Sequence, residues 1–251
     1  MINNESLTIA WLYPDLMNTY GDRGNIVCLQ RRCELRKITC IVKELNIGFN
    51  SDELEKTDLI FMGGAQDRQQ EIVAEELFQK SKILKKLIES GIPGLYICGA
   101  YQFLGKYYKE ADGTVIKGLE ILNLHTENPG LTAKRLIGNV AVQSLVGKDI
   151  LIGFENHGGR TYLGKDIKPL GKVIIGYGNN GLDKTEGAIY KNSFCSYLHG
   201  PLLPKNPQFA DYLITLALEK KYKKKITLSP LDDRLETQAR ETIARRLKVK
   251  V

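Results

Sequence analysis

The sequence predicts an α/β fold with a mostly parallel central sheet, helices on both faces and a more antiparallel C-terminal half. Three observations predict it. Short β-rich runs alternate with helical patterns up to about residue 118, the signature of parallel β-α-β units. After that point several short strands follow one another, separated by Gly- and Asn-rich turns. The 251 residues, 43% hydrophobic and 26% charged, have the composition of an ordinary globular chain long enough to bury a full core.

Residues 7–13 form a buried-strand pattern. Gly21-Asp22-Arg23-Gly24-Asn25 supplies turn residues and a helix cap ahead of Ile26, Leu29 and Cys33 at helical spacing. Strands are expected at 39–42, 58–62 and 94–97, with a long amphipathic helix over 68–89 and a short helix over 99–108. The second half predicts strands at 136–143, 150–155, 172–177, 187–190 and 193–198. Helices at about 207–219 and 231–247 close the chain, separated by Lys220-Lys221-Tyr222-Lys223-Lys224-Lys225. With no repeat and no evident linker, residues 1–219 are expected to form one continuous domain and 220–251 a basic helical extension.

Composition excludes collagen-like, mucin-like and wholly disordered chains. The polar start, with no Lys or Arg before a short apolar run, does not resemble an export signal. No stretch approaches the roughly 18 apolar residues of a spanning helix. The five cysteines, Cys28, Cys33, Cys40, Cys98 and Cys195, are odd in number and none are spaced C-x-x-C. They suggest neither a disulfide framework nor a metal site, and the expectation is a cytoplasmic protein with free thiols. The net charge of +7 resides wholly in residues 220–251; residues 1–219 carry 25 charges of each sign. That distribution argues against a central nucleic-acid groove and leaves two readings for the tail, a solvated helix or a contact with an acidic partner or membrane surface.

One segment stands out for chemistry: Tyr96-Ile97-Cys98-Gly99-Ala100-Tyr101-Gln102. A strand running into a thiol, two small residues and a helix has the form of a nucleophile elbow, whose sharp turn demands small neighbours. A free cysteine is more often a buried structural residue, but here the thiol lies where a helix N-terminus favours the thiolate. A nucleophilic Cys needs a base, and the three histidines are His125, His157 and His199. His199 ends an apolar run and precedes Gly200-Pro201; spacing alone does not choose among the three. Gly63-Gly64 follows the third strand, where backbone N–H groups point into the crevice of a parallel sheet and can hold an oxyanion. Most such Gly pairs are simply turns.

Together these segments resemble the class I glutamine amidotransferases, whose fold is flavodoxin-like. The form is most similar to the cobyric-acid-synthase-like branch. Its nucleophile motif is matched by Tyr96-Ile97-Cys98-Gly99-Ala100-Tyr101-Gln102. A second signature is matched by Gly153-Phe154-Glu155-Asn156-His157-Gly158-Gly159-Arg160-Thr161, and the histidine motif by Tyr197-Leu198-His199-Gly200-Pro201. Within that branch, residues 13–25, Gly63-Gly64-Ala65-Gln66-Asp67 and the run from His199 to Pro207 look like the glutaminase subunits of lipid II isoglutaminyl synthases.

The resemblance implies Cys98 as nucleophile and His199 as base, with Gly63, Gly64 and Gly99 supplying oxyanion N–H groups. It implies Gln102 as a substrate contact and Arg135 as the fork that binds the glutamine carboxylate. It also implies L-glutamine as substrate and no cofactor in this chain. ATP and Mg would be held by a Mur-ligase-like synthetase partner, and the pair would amidate the D-glutamate α-carboxylate of lipid II, at the inner membrane face.

Two departures from the family pattern stand out. Gly200-Pro201 replaces the usual acid two residues after the histidine, leaving Glu155, Asp15, Asp22 or a partner residue as the group that orients the imidazole. No G-x-x-x-x-G-K-[ST] occurs, which favours a separate synthetase subunit. The competing readings are a stand-alone γ-glutamyl hydrolase, an amidotransferase for another acceptor such as a cobalamin precursor, and a binding module that kept the fold.

Overall fold

The computed structural model describes residues 5–251; residues 1–4, part of the polar start read for an export signal, lie outside the described residues. β1 (Ser6–Leu12), α1 (Arg23–Glu34), β2 (Thr39–Leu45), α2 (Ser51–Glu55), β3 (Leu59–Met62), α3 (Asp67–Gln79), α4 (Ser81–Glu89), β4 (Gly94–Ile97) and α5 (Gly99–Phe103) make up the alternating half. β5 (Tyr107–Lys109), β6 (Val115–Lys117), β7 (Leu124–Glu127), β8 (Leu136–Ser144), β9 (Ile150–His157), β10 (Arg160–Leu163), β11 (Gly171–Ile175), β12 (Thr185–Glu186), β13 (Ala188–Tyr190) and β14 (Ser193–Ser196) follow, and α6 (Pro207–Tyr222) and α7 (Arg234–Leu247) end the chain.

A six-stranded sheet in the order β13-β14-β4-β3-β1-β2 forms the centre. Every neighbouring pair in it is parallel except β13 with β14. β3, β4 and β14 are buried along their whole length, which is why they read as continuous apolar runs. Because β1, β3, β4 and β14 run the same way, the residues that follow each of them meet at one end of the sheet. Such carboxyl ends form the crevice in which open α/β sheets bind ligands.

The later half is more antiparallel, as expected. β12-β11-β8-β9 is antiparallel throughout, whereas β10-β7-β5-β6 contains one parallel pair, β5 with β7. The second of these sheets was missed in the sequence because its strands are only three or four residues long. The helix expected over 99–108 accordingly ends at Phe103, and β5 takes its second half.

Other boundaries differ for local reasons. The helix expected over 68–89 breaks at Lys80 (φ −89°, ψ 0°), whose Nζ is drawn 2.8 Å from the carbonyl oxygen of Phe49. Each half still buries its own apolar stripe, Val73 and Leu77 in α3 and Leu84, Leu87 and Ile88 in α4. The lysine string does not separate the last two helices, because α6 runs through Tyr222 and stops at Lys223 in the left-handed region. Lys221 pairs with Asp58 at 2.8 Å, Lys224 with Glu5 at 3.4 Å, and the Tyr222 hydroxyl accepts from Ser6 N–H at 2.9 Å. Those partners mark the N-terminal ends of β1 and β3, the pole opposite the crevice. α7 buries Ala244 against Ala141 and Ile152. A bidentate ion pair from Arg32 to Asp211, extended to Asp233, ties α1 to α6 and to the start of α7.

Candidate active site

Cys98 lies at the carboxyl end of β4 with φ 53° and ψ −105°, a conformation that costs a non-Gly residue about 1–3 kcal/mol. Its N–H donates to the Ser196 carbonyl at 2.9 Å, so the neighbouring strand β14 holds the strained turn in place. Gly99 is closely packed: a Cβ there would come 3.0 Å from Gln70 Nε2 and 3.3 Å from Ala65 N. Cys98 is 9% exposed, at the wall of a cleft of about 260 Å³.

His199 is fully buried on the turn beyond β14, bridged to β9 by paired backbone hydrogen bonds with Phe154 at 2.7 and 3.1 Å. Its Nδ1 lies 3.0 Å from Asp22 Oδ1, and Asp22 is also fully buried. Among the described residues Nε2 has no hydrogen-bond partner. Gly64 fits between the reacting groups: a Cβ there would lie 2.9 Å from His199 Cε1 and 3.1 Å from Cys98 Cβ. Burial alone would lower the His199 pKa; the Asp22 carboxylate and the Cys98 sulfur outweigh it and raise it to about 10. The protonated form of the ring is thereby favoured beside Cys98. A thiol, an imidazole and a buried carboxylate in this order can perform nucleophilic acyl transfer.

Of the four groups weighed for orienting the imidazole, the structure brings only Asp22 to it. Asp15 is exposed, and its N–H meets Asn46. Glu155 is buried but accepts the Tyr177 and Gly178 N–H groups at 2.7 and 2.8 Å. With Nδ1 already bound inside the chain, a partner residue has no vacant place there.

The glycine expectations need one correction. The Gly64 N–H donates to Asp22 Oδ2 at 2.8 Å, so it locks the carboxylate and is not free for an oxyanion. Gly63 packs against the Met17 carbonyl and Asp22 Cβ. The next amide, Ala65, has no acceptor among the described residues, lines the cleft and faces Gly99. The Ala65 amide is thus the one left open to the cleft beside Cys98; Ala65 was not singled out in the sequence because an alanine carries no signal there.

Arg135, Asn156, His157, Gly158 and Gly159 form the wall that faces Cys98, with Gln102 and Tyr20 also lining the cleft. Asn156 accepts Arg135 Nε at 3.0 Å on its side chain and Nη2 at 3.1 Å on its backbone oxygen, aiming the guanidinium. Gln102 Nε2 donates to the Tyr197 hydroxyl at 3.2 Å while its buried Oε1 is left without a partner among the described residues. Tyr20, strained at φ 58°, roofs His199 edge-on at 5.0 Å between ring centres. His157 stacks on Tyr197 at 3.7 Å, its Nδ1 lies 2.8 Å from the Gly159 carbonyl, and burial pushes its pKa down to about 3, so the ring is neutral. His125 lies outside the cleft, sandwiched between Tyr107 and Tyr162. Asn156 and Tyr20 stood inside recognised strings, but only the three-dimensional arrangement gives them a task.

Residues 8–207 match the family of CobB/CobQ-like glutamine amidotransferase domains. The chain belongs to that family. It is 45% identical over 94% of both chains to the lipid II isoglutaminyl synthase (glutamine-hydrolyzing) subunit GatD of Staphylococcus aureus (strain N315). The protein of the same name from Streptococcus pneumoniae (strain ATCC BAA-255 / R6) is 42% identical, covering 94% of this chain and 89% of that one. A probable cobyric acid synthase of Methanothermobacter thermautotrophicus is 29% identical, over 77% of this chain but only 39% of its own. Among solved structures, a glutamine amidotransferase matches with a TM-score of 0.56 at 13% identity, covering 83% of this chain and 98% of that one. The likeness places the α/β architecture in the class I amidotransferase fold.

Proposed function

We propose that this chain is the glutaminase subunit of a two-subunit amidotransferase that converts the D-glutamate of lipid II to D-isoglutamine. The observation that carries the reading is the strained Cys98 facing the Asp22–His199 pair across Gly64, at the wall of a cleft of about 260 Å³. L-Glutamine enters with its α-carboxylate on the free edge of the Arg135 guanidinium and its α-ammonium near the unpartnered Gln102 Oε1. Its side-chain amide then meets Cys98.

In this reading the Cys98 thiolate attacks the amide carbon, and the tetrahedral oxyanion is held by the Ala65 and Gly99 N–H groups. His199 gives its Nε2 proton to the leaving nitrogen, the C–N bond breaks and ammonia departs, leaving a γ-glutamyl thioester. The now neutral imidazole takes a proton from water. Hydroxide adds to the thioester, the C–S bond breaks, and glutamate leaves as thiolate and imidazolium are restored. Asp22 keeps the ring in one orientation and stabilises its charge.

The ammonia is passed to a Mur-ligase-like partner that holds ATP and Mg and activates the D-glutamate α-carboxylate, at the cytoplasmic membrane face. The names of the relatives at 42% and 45% identity support the lipid II reading over a cobyric-acid acceptor. The test is ammonia release from glutamine by the chain with its synthetase partner, and amidation of lipid II in the same mixture. Cys98→Ala is expected to abolish both; amidation at an undiminished rate from glutamine in that variant would refute the proposal.

A further inference from the structure

Glu186 is a fully buried carboxyl that the mechanism above does not use. It sits at the end of β12, at the point where the chain passes from the antiparallel sheet into β13 of the central one. Gly187, at φ 63°, makes that passage so tight that a Cβ would strike the Cys195 carbonyl. Asn179 holds the Gly187 peptide from both sides, accepting its N–H at 2.9 Å and donating to its carbonyl at 2.9 Å. The Glu186 side chain is thereby aimed at the end of β14.

That end is where the catalytic turn begins. β14 stops at Ser196, so the amides of Tyr197 and Leu198 have lost their ladder partners. Glu186 Oε1 accepts the Tyr197 N–H and the Ser196 hydroxyl, each at 2.8 Å. The Ser196 Oγ in turn accepts the Leu198 N–H at 3.0 Å. The next amide, His199, is taken by Phe154. One carboxyl oxygen and one hydroxyl thus replace a sheet edge for the two residues that connect Cys98's neighbour Ser196 to His199.

We infer that Glu186 is a positioning residue for the nucleophile–histidine pair, acting as a buried hydrogen-bond acceptor that sets the Ser196–His199 turn against Cys98. Burial pushes its carboxyl up to about 8, against the Tyr197 N–H and the Ser196 hydroxyl, whose hydrogen bonds hold it down. Its second oxygen, Oε2, has no hydrogen-bond partner among the described residues, so an amide nitrogen can take its place without breaking a bond. Nothing local signals this role, because Glu186 lies in a Thr-Glu-Gly turn string outside every recognised motif.

The inference rests on the glutaminase reading for its activity arm, and a second arm is independent of it. Glutamine turnover is measured with the synthetase partner for Glu186→Gln, Glu186→Ala and Ser196→Ala, normalised to the sites titrated by a glutamine-like diazoketone so that loss of folded protein does not count. Alkylation of Cys98 by iodoacetamide is timed on the same proteins. Glu186→Gln should keep kcat and alkylation rate within about twofold, since it keeps the acceptor. Glu186→Ala and Ser196→Ala should each lower kcat by about 10–100-fold with KM little changed, as a misplacement of about 1 Å does, and should slow alkylation in parallel. If Glu186→Ala folds and matches the parent in both arms, or if Glu186→Gln fails as badly as Glu186→Ala, the inference is wrong. If Glu186→Ala does not fold, Ser196→Ala decides by the same criteria. A parent that does not hydrolyse glutamine, but whose Cys98 alkylation still slows in Ser196→Ala and Glu186→Ala, would remove the glutaminase reading and leave the positioning role standing.

Discussion

Asp22 and His199 stand 177 residues apart in sequence and 3.0 Å apart in the structure, carboxylate oxygen to ring nitrogen. The other oxygen of the same carboxylate is held by the Gly64 amide, so the acid cannot rotate away from the ring. The imidazole is oriented from within the chain, by a residue at the start of α1 and not by one near the histidine itself.

Asp22→Asn is the direct test of that relationship. The amide keeps the shape but loses the charge that raises the His199 pKa. Glutamine turnover should fall by about 10²–10⁴-fold. Glu155→Gln and Asp15→Asn, made alongside, should stay within a few-fold of the parent. Steady-state kinetics on the three variants checks this; a loss confined to Glu155→Gln would place the orienting acid elsewhere.

Gly64→Ala should damage activity far more than stability. Its Cβ would fall within 3.1 Å of both His199 Cε1 and Cys98 Cβ, and one of the two must move. A shift of about 1 Å in a reacting group costs about 10²-fold in rate. Activity and thermal midpoint measured together check the claim, and near-parental turnover would show that the gap between the groups is wider than it looks.

Much of this was legible in the sequence, and the limits have physical causes. β3, β4 and β14 announced themselves as apolar runs because both of their faces are covered. The elbow was visible because a strained Cys needs small neighbours, here Gly99 and Ala100. Asp22 was one of four options only, since Gly21-Asp22-Arg23 also reads as an ordinary turn and cap; nothing local reveals a partner on a turn 177 residues away. Gly64 was assigned an oxyanion role that its actual bond to Asp22 forbids, because a flexible pair of glycines does not say which way its amides point. β5, β6, β7 and β10 escaped because, unlike the wholly buried β3, β4 and β14, they alternate in burial, and three or four residues are too few to establish that period.

Arg135→Ala should act on binding. Two of its nitrogens are spent on Asn156, leaving one edge for a carboxylate. A lost charge-assisted contact at an exposed residue should raise KM for glutamine about tenfold or more while kcat changes little. Asn156→Ala should do the same more weakly, by loosening the guanidinium. A fall in kcat at unchanged KM would assign Arg135 to the chemical step.

The two buried histidines give stability opposite pH dependences. His157 is lowered from 6.5 to about 3, so between those values the unfolded chain binds the extra proton. Its contribution is present above pH 6.5 and is lost as pH falls toward 3. His199 is raised from 6.5 to about 10; its contribution is present below 6.5 and is lost as pH rises through 10. Urea midpoints for His157→Gln should depend less on pH between 4 and 6.5 than those of the parent. An unchanged slope there would mean that His157 is protonated in the fold.

The central claim is that Cys98 carries a γ-glutamyl group during turnover. Mixing the protein and its partner with glutamine, quenching in acid within the first turnovers and mapping the peptides by mass spectrometry tests it most directly. One γ-glutamyl group is expected on the peptide containing Cys98, removable by hydroxylamine and absent from Cys98→Ala. Continued glutamate formation by Cys98→Ala, or an adduct on any other residue, would contradict it.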